Sequence, residues 1–386
     1  MATFQMTASP RTIIGEGALE AGMPHIKRLG TKALIVTGKV ITKTGLTAQV
    51  QSQLAAAGIA SSVFNDLPAE PDDRMIMAGV QAFKESGADM IVGLGGGTPL
   101  DTAKAIAAMA VLPGKLSDYA GKEITGTFPP LVLIPTTAGT GSEATKFFVF
   151  TDTATDAKLL LKGDDLLPDL ALVDYTYTFS SPRSITVATG MDALTHAVEA
   201  YTSRKANAVT DLYCLDAIRR IFASLPIAAS DGTNRAARES MAFAAYEAGV
   251  CINNSSVTLV HGMSRPIGAL FHVPHGISNA MLIVACLRFA LDGAYDRFAD
   301  IARAIGAATA SDDDRTAANA FLSALERLTD TLGIPTLREY GIDLVRFQSL
   351  EEKMAADSLA SGSPANTRKA VTLADELAIY DELRSE

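Results

Sequence analysis

Cysteine is scarce in this sequence of 386 residues. Only Cys214, Cys251 and Cys286 are present, they stand far apart, and no C-x-x-C pair occurs. This absence argues against a cysteine-based zinc ribbon and against a dithiol redox pair. A chain of this length buries a core large enough to need no disulfide bonds. We therefore expect three reduced, mostly buried thiols in a reducing compartment.

Targeting and membrane signals are also lacking. Residues 1–11 contain no basic segment followed by an apolar stretch, so we expect no signal peptide. No run of about 18 apolar residues appears, which predicts no transmembrane helix. A formal net charge of −10 disfavours nucleic acid as a general partner, although a local pocket can still be basic. We expect a cytoplasmic protein with a small-molecule substrate, assembled as a homodimer or a higher homo-oligomer.

The length predicts two domains, and the two halves of the chain differ in their pattern of apolar residues. The first half alternates short apolar runs with helical patterns, which predicts a parallel sheet covered on both faces. The predicted strands are 33–37, 62–64, 90–94, 131–134 and 170–173, and the predicted helices between the first three are 47–57 and 74–86.

The second half lacks the short apolar runs that predict strands, and its sequence predicts helices rich in Ala, Leu, Arg and Glu. These stretches are 206–225, 234–250, 293–305 and 315–332. Ser181 before Pro182 is a good helix start, so we place the domain boundary there. The expected organisation is an α/β domain over 1–180 and an all-α domain over 181–386.

A glycine cluster ends the predicted strand 90–94. Gly95, Gly96 and Gly97 lead through Thr98 into a predicted helix over 101–109. Glycines let a backbone approach a ligand closely, and the first N–H groups of a helix bind phosphate. The spacing is neither G-x-G-x-x-G nor that of a Walker A loop. An ordinary turn is the alternative, but the strand-to-helix setting favours a phosphate loop.

A second loop, residues 135–143 (PTTAGTGSE), also follows a predicted strand. Its hydroxyls and glycines suit a diphosphate or a ribose. Alone it is a weak signal, since Thr/Gly/Ser loops are common.

Histidine is scarce too, and three of the five cluster in one short segment. Asp192 and His196 are four apart in a predicted helix, so both project from one face. His261 and His275 follow, each beside a glycine or proline that would position it on a turn or helix end. One carboxylate and three imidazoles form a sound divalent-metal site. The alternative is that Asp192 and His196 form an ordinary surface or core pair.

Four motifs together resemble the iron-containing (group III) alcohol dehydrogenase family, and the resemblance covers nearly the whole chain. They are residues 95–104 (GGGTPLDTAK), 135–143, 190–201 (GMDALTHAVEAY) and 261–276. Glycerol dehydrogenase and dehydroquinate synthase are more distant relatives. The resemblance implies a dehydroquinate synthase-like fold, with a nucleotide-binding α/β domain, a helical domain and an active site in the cleft between them.

The family's functional residues carry over position by position. The implied metal ligands are Asp192, His196, His261 and His275. The implied diphosphate loop is Gly96, Gly97, Thr98 and Asp101. The implied second cofactor loop is Thr136, Thr137 and Thr140, and Lys158 stands where the family places a cofactor-binding lysine. The implied cofactors are NAD or NADP with Fe²⁺, or with Zn²⁺ as the alternative.

Two positions depart from the family pattern. Arg265 stands where the family often has a second histidine near the substrate, four residues after a metal ligand. Its guanidinium suggests a substrate with an anionic group, such as a semialdehyde, unless it pairs with an internal acid or a cofactor phosphate. Gly38 stands after the first strand, where NAD-preferring members such as lactaldehyde reductase tend to carry Asp. The absence of that aspartate, with Lys39 adjacent, predicts that NADP is tolerated.

The predicted activity is hydride transfer between a nicotinamide cofactor and a small primary alcohol or aldehyde, assisted by the metal. His272, close to His275 in sequence, is a candidate proton relay or else a structural histidine. A lyase of the dehydroquinate synthase type would need a basic cluster that we do not find. A non-catalytic nucleotide- or metal-binding sensor is disfavoured by the complete ligand set and the intact phosphate loop.

Overall fold

The computed structural model describes residues 3–68, 70–155 and 157–385, and the chain divides into two compact units. One unit is Met6–Ser181. The other begins at Pro182 and also takes in the few residues that precede Met6.

The unit Met6–Ser181 is built on a six-stranded, all-parallel sheet. Its strands are β1 (Thr12–Ile14), β2 (Lys32–Thr37), β3 (Ala60–Phe64), β4 (Met90–Gly95), β5 (Leu131–Pro135) and β8 (Leu170–Val173), in the order β1-β8-β5-β4-β2-β3. Its helices are α1 (Ala18–Leu29), α2 (Lys39–Lys43), α3 (Leu46–Ala56), α4 (Asp73–Ser86) and α5 (Gly97–Met109). The expected parallel sheet is confirmed.

The central strands are apolar throughout because both faces of the sheet are buried. In β2, Leu34 and Val36 belong to one core, together with Ile106 of α5. The intervening Ile35 belongs to the opposite core, together with Leu54 of α3. Side chains alternate across a strand, so a doubly covered strand loses its polar face.

The strand order reverses between β2 and β4. The chain passes from β2 outward to β3, and from β4 in the other direction to β5. In open parallel sheets, ligands bind outside the carboxyl ends of the strands at such a switch point. Gly38 follows β2 directly and Gly96 follows β4 directly, so both loops lie at that edge.

Strand β1 and helices α1 and α2 were not predicted from the sequence, and two further features of this unit differ from the expectation. Strands β6 (Phe147–Asp152) and β7 (Ala157–Lys162) form an antiparallel hairpin that the sequence did not reveal. Only Phe148, Phe150 and Asp152 are buried in β6, and this short alternation is a weak signal. Helix α5 begins at Gly97 rather than at residue 101, since Pro99 is compatible with a first turn.

The second unit is helical. Its helices are α6 (Arg183–Thr202), α7 (Ala208–Ser230), α8 (Arg235–Asn254), α9 (Leu259–Phe271), α10 (His275–Ala290), α11 (Tyr295–Ala304), α12 (Asp314–Leu332), α13 (Leu337–Tyr340), α14 (Leu344–Ala360) and α15 (Leu373–Ser385). Side chains cap several helix starts, as Asn207 does by accepting from Val209 and Thr210. Helix α7 runs through Pro226, past the predicted end at residue 225, and ends at Ser230.

Helix α6 lies at the centre of this unit, packed against α7, α8 and α10. Every residue from Gly190 to Thr202 is buried. Gly190 permits the close approach of α7, because a Cβ there would lie 2.4 Å from Leu225 Cδ1. A helix buried on all sides has no amphipathic stripe, and polar residues on it need a specific reason.

The segment His275–Gly293, which contains α10, is long and apolar enough to cross a membrane by length and composition alone. Within the structure, however, α10 packs against α6, α9, α12 and α15. Its apolar character is therefore accounted for by burial in the helical core.

Candidate metal centre

Helix α6 presents three polar side chains into the helical core. Asp192, His196 and Glu199 are spaced at i, i+4 and i+7, so they share one face of the helix. The Asp192 side chain is 2% exposed and that of His196 is 7% exposed. Buried polar groups at this spacing require partners from a neighbouring element.

Two helix starts supply those partners. His261 is the third residue of α9, and His275 is the first residue of α10. Between these helices the chain turns at His272, which has φ 55° and is the only described non-glycine residue with positive φ. Gly276 brings the start of α10 against α6, because a Cβ there would lie 2.2 Å from the Ala188 carbonyl oxygen.

Four donor atoms converge at this point. One ligand atom from each of Asp192, His196, His261 and His275 lies within 4.8 Å of the other three. Asp192 Oδ1 is 3.8 Å from His196 Nε2, 3.7 Å from His261 Nε2 and 3.5 Å from His275 Nε2. These distances are too long for hydrogen bonds. They suit donor atoms arranged around a common point about 2 Å from each.

The Asn279 amide is the group that the structure places against these donors. Its Nδ2 donates to Asp192 Oδ1 at 2.8 Å and lies 3.2 Å from His261 Nε2 and 3.3 Å from His275 Nε2. An NH₂ group carries partial positive charge, so three acceptor atoms already face a cation-like donor. Asn279 Oδ1 is buried without a hydrogen bond to any described residue. The donor set therefore fits a divalent cation.

Glu199 fixes the orientation of His261. Its Oε2 lies 2.5 Å from His261 Nδ1, while its Oε1 accepts from Thr258 Oγ1 and from the backbone N–H of Val260. With Nδ1–H donated to the carboxylate, Nε2 is left as the acceptor that faces Asp192. A carboxylate behind a ligating histidine is the usual support of a metal-bound imidazole.

The ionisable side chains of the cluster shift one another's pKa values. Burial raises the pKa of Asp192, but the facing imidazoles of His196 and His275 hold it well below its ordinary value. Burial likewise lowers the pKa of His261, but the Glu199 carboxylate outweighs this effect and raises it. The buried carboxylates of Asp192 and Glu199 place negative charge beside three imidazoles, and this charge favours a cation at the centre of the cluster.

The cluster is open on one side. The His275 side chain is 37% exposed, whereas those of Asp192, His196 and His261 are 2%, 7% and 3% exposed. The donor set is therefore accessible from the side of His275, as a catalytic metal site requires.

The two predicted cofactor loops meet in the unit Met6–Ser181. A Cβ on Gly97 would lie 2.9 Å from Thr140 Cγ2, and one on Gly96 would lie 3.3 Å from Thr137 Oγ1. Gly96 is the N-cap of α5 and gives it no side-chain cap, and Thr98 is half-buried in the first turn. The start of α5 therefore offers backbone N–H groups without a competing side chain.

Buried hydroxyls line the same edge of the sheet. Thr37 Oγ1, at the end of β2, and Thr136 Oγ1, just after β5, are buried and have no hydrogen-bond partner among the described residues. Because buried hydroxyls are normally bonded, their position fits an absent polar ligand such as a dinucleotide.

Asp101 and Lys158 are engaged within the protein. Asp101 accepts from Ser142 Oγ at 2.5 Å and from the Val149 N–H at 3.0 Å, so it ties the second loop and β6 to α5. Burial raises its pKa. Lys158 lies on β7 and pairs with Glu70 at 2.6 Å.

Gly38 lies in open space. It has φ −99°, and a Cβ there would meet no atom within 4 Å. Neither its backbone conformation nor its packing requires a glycine. The adjacent Lys39 forms an exposed ion pair with Asp66 at 2.7 Å.

Comparison with known proteins agrees with this geometry. Residues 9–175 match the family described as iron-containing alcohol dehydrogenase, and residues 186–382 match the C-terminal region of the Fe-containing alcohol dehydrogenase family. The chain belongs to the iron-containing alcohol dehydrogenase family. The family expected from the sequence, and its α/β plus all-α fold, are thereby confirmed.

Similar proteins in this family match along most of their length. The 1,3-propanediol dehydrogenase of Citrobacter freundii is 39% identical over 339 residues, which cover 87% of this chain and 88% of that protein. The NAD-dependent methanol dehydrogenase of Bacillus methanolicus is 37% identical over 351 residues, covering 89% and 92%. A crystal structure of a 1,3-propanediol oxidoreductase superposes with a TM-score of 0.95 at 35% identity, covering 99% of this chain and 100% of that one.

Two residues that contact the cluster were not among the predicted site residues. Glu199 follows His196 by three residues on α6, and Asn279 follows His275 by four on α10. Helical spacing from a predicted ligand is the signal that could have identified both.

Proposed function

We propose that this iron-type alcohol dehydrogenase family member transfers a hydride between NAD or NADP and a small primary alcohol or aldehyde, with the help of a divalent metal. The convergence of Asp192, His196, His261 and His275 carries the proposal. One carboxylate and three imidazoles suit Fe²⁺, the metal named by the family, and they also suit Zn²⁺. A cation held there would supply Lewis acidity to the substrate oxygen and lower the pKa of an alcohol.

The chain's own residues prepare the site in separate ways. Asp192 supplies the negative charge that keeps a cation among three neutral imidazoles. Glu199 holds His261 in one tautomer, so that Nε2 stays an acceptor. The exposed side at His275 leaves a path for the substrate oxygen. Burial of the other three ligands excludes water from the remaining directions.

The cofactor would bind at the carboxyl edge of the parallel sheet. The N–H groups of Gly97 and Thr98 at the start of α5 suit the diphosphate, with Gly96 allowing close approach. Thr136, Thr137 and Thr140 would add hydroxyl contacts from the second loop. Asp101 would act by positioning that loop, and Lys158 would have to exchange its contact with Glu70, a half-exposed pair that costs little to break.

His272 is proposed as a proton relay between the site and solvent. It is exposed and lies at the turn between α9 and α10, three residues before His275. A His272→Asn variant retains a side chain that tolerates positive φ. If the relay operates, this variant should show slower turnover that exogenous imidazole restores, with metal content unchanged.

The decisive experiment combines metal content with turnover. Purified protein is stripped with a chelator, reloaded with Fe²⁺ under anaerobic conditions or with Zn²⁺, and assayed by nicotinamide absorbance over a panel of primary alcohols and aldehydes. His261→Ala should lose most bound metal and nearly all activity while keeping its circular dichroism. His25→Ala on α1, in the other unit, is the matched histidine control. Full activity in a metal-free preparation would refute the proposal.

A further inference from the structure

We propose that Arg265 and Ser363 bind an anionic group on the substrate, so that the preferred aldehyde carries a carboxylate, sulfonate or phosphonate a few atoms from its carbonyl. This inference rests on the proposed function and narrows its substrate class.

Arg265 is placed beside the metal cluster by the helix that carries His261. The two residues are four apart on α9, so their side chains project from the same face, about one turn of 5.4 Å apart. Arg265 is half-buried, and its Nη1 donates to Ser363 Oγ at 3.1 Å. Ser363 is itself buried, in the segment that follows α14.

The guanidinium has no acidic partner of its own in the part of the chain that the structure describes. Among the described residues, Arg265 forms no ion pair, and its one hydrogen bond is the bond to Ser363. Glu199 is the acidic residue whose charge acts on Arg265, but its oxygens are occupied by His261, Thr258 and Val260. Burial lowers the pKa of Arg265, and the opposing charge of Glu199 does not offset this effect.

Other arginines in the same unit are satisfied within the protein. Arg297 pairs with both oxygens of Asp211 and also donates to the Tyr201 carbonyl. Arg204 donates to the carbonyls of Thr367 and Arg368. A partly buried charge without such partners is costly, and an anion that binds to it offsets part of this cost.

The Arg265–Ser363 pair offers complementary donors to an anion. The serine hydroxyl accepts from Arg265, and its own proton has no acceptor among the described residues. A guanidinium presents a planar fork that bonds two oxygens of one acid group. Together the two side chains can donate to an oxyanion while the substrate oxygen lies at the cluster one turn away.

The test compares two aldehydes of matched length, succinic semialdehyde and butanal, on the metal-loaded enzyme. Arg265→Met should lower kcat/KM for succinic semialdehyde on the order of 30-fold, while kcat/KM for butanal changes little. Arg265→Lys should keep part of the preference, because it retains the charge without the fork. Ser363→Ala should give a smaller loss of the same kind. Arg346→Met, which removes an arginine of the same unit that donates to the Leu270 carbonyl, is the matched control.

A binding measurement separates this inference from the proposed function. Calorimetry with succinate, which cannot be reduced, should show binding to the wild-type holoenzyme and none to Arg265→Met. Turnover of neutral aldehydes without any preference for succinic semialdehyde, or equal losses on both substrates, would overturn the inference and leave the proposed function intact. Succinate binding without turnover of any aldehyde would support the anion site and overturn the proposed function.

Discussion

Glu199 Oε2 lies 2.5 Å from His261 Nδ1, and both side chains are fully buried. The carboxylate comes from α6, which also carries Asp192 and His196, while the imidazole comes from α9. One helix thus supplies two of the four converging side chains and orients a third. Burial raises the pKa of Glu199, but its contacts with the His261 ring and with Thr258 outweigh this effect and lower it, so the carboxylate stays ionised. The pair couples the packing of two helices to the geometry of the cluster.

The first prediction concerns this pair. Glu199→Gln should weaken metal affinity by about 10- to 100-fold, because an amide orients the imidazole without supplying negative charge. The measurement is competition against a chromophoric chelator, with metal per chain as a second readout. Glu247→Gln, a change at a buried glutamate on α8, is the control and should retain wild-type affinity. Equal affinity in Glu199→Gln and wild type would contradict the supporting role.

The second prediction concerns Gly276. Gly276→Ala should displace the start of α10 and with it His275, since the new Cβ would lie 2.2 Å from a backbone oxygen that cannot move aside cheaply. We expect loss of bound metal and a lower melting temperature. Gly38→Ala is the matched control, because its Cβ would meet nothing within 4 Å. If Gly276→Ala retains its full metal content, then α6 and α10 can move apart at a lower cost than their close packing indicates.

The third prediction concerns cofactor choice. The wild-type protein should accept NADP, because no carboxylate stands at position 38 to repel a 2′-phosphate. Gly38→Asp should lower kcat/KM for NADP at least about tenfold and leave NAD unaffected or improved. The φ of −99° and the open space let the new side chain fit without strain. A strong wild-type preference for NAD, with no NADP penalty in the variant, would refute this interpretation.

The fourth prediction concerns the pH dependence of stability. Burial raises the pKa of Glu376 to about 7 from 4.5, against the opposing hydrogen bond from Ser358. Because the folded-state pKa is the higher one, its stabilising contribution is complete below pH 4.5 and is lost as the pH rises through 7. Glu376→Gln mimics the protonated acid and removes this dependence.

Denaturant unfolding of both proteins at pH 5 and pH 8 tests the point. The variant should gain stability relative to wild type between the two pH values, on the order of 2 kcal/mol. If the difference in unfolding free energy between the variant and wild type is the same at both pH values, the raised pKa of Glu376 is contradicted.

Local patterns in the sequence were sufficient for much of the fold. Residues 33–37, 90–94, 131–134 and 170–173 were predicted as strands, and they lie in β2, β4, β5 and β8. An apolar run bounded by turn residues is a strong local signal when both faces of a sheet are covered. The hairpin β6–β7 escaped prediction because its few buried residues alternate over too short a stretch.

The sequence also supplied the identities of the four side chains that converge. Asp192 and His196 could be paired from their spacing alone, since i and i+4 share one helix face. The addition of His261 and His275 rested on the scarcity of histidine and on the family resemblance. Their role as metal ligands stays a prediction that the His261→Ala experiment tests.

Only the tertiary structure decided what surrounds these residues. The contact of Glu199 with His261 and the placement of Asn279 against three donor atoms both join segments from different helices. The lack of an acidic partner for Arg265 among the described residues likewise depends on which segments pack beside α9. Helical periodicity fixes which residues share a face, but it does not determine which face of another helix lies opposite. That choice depends on packing between segments distant in sequence, such as Gly276 against Ala188, and nondirectional hydrophobic burial leaves no trace of it in the local pattern.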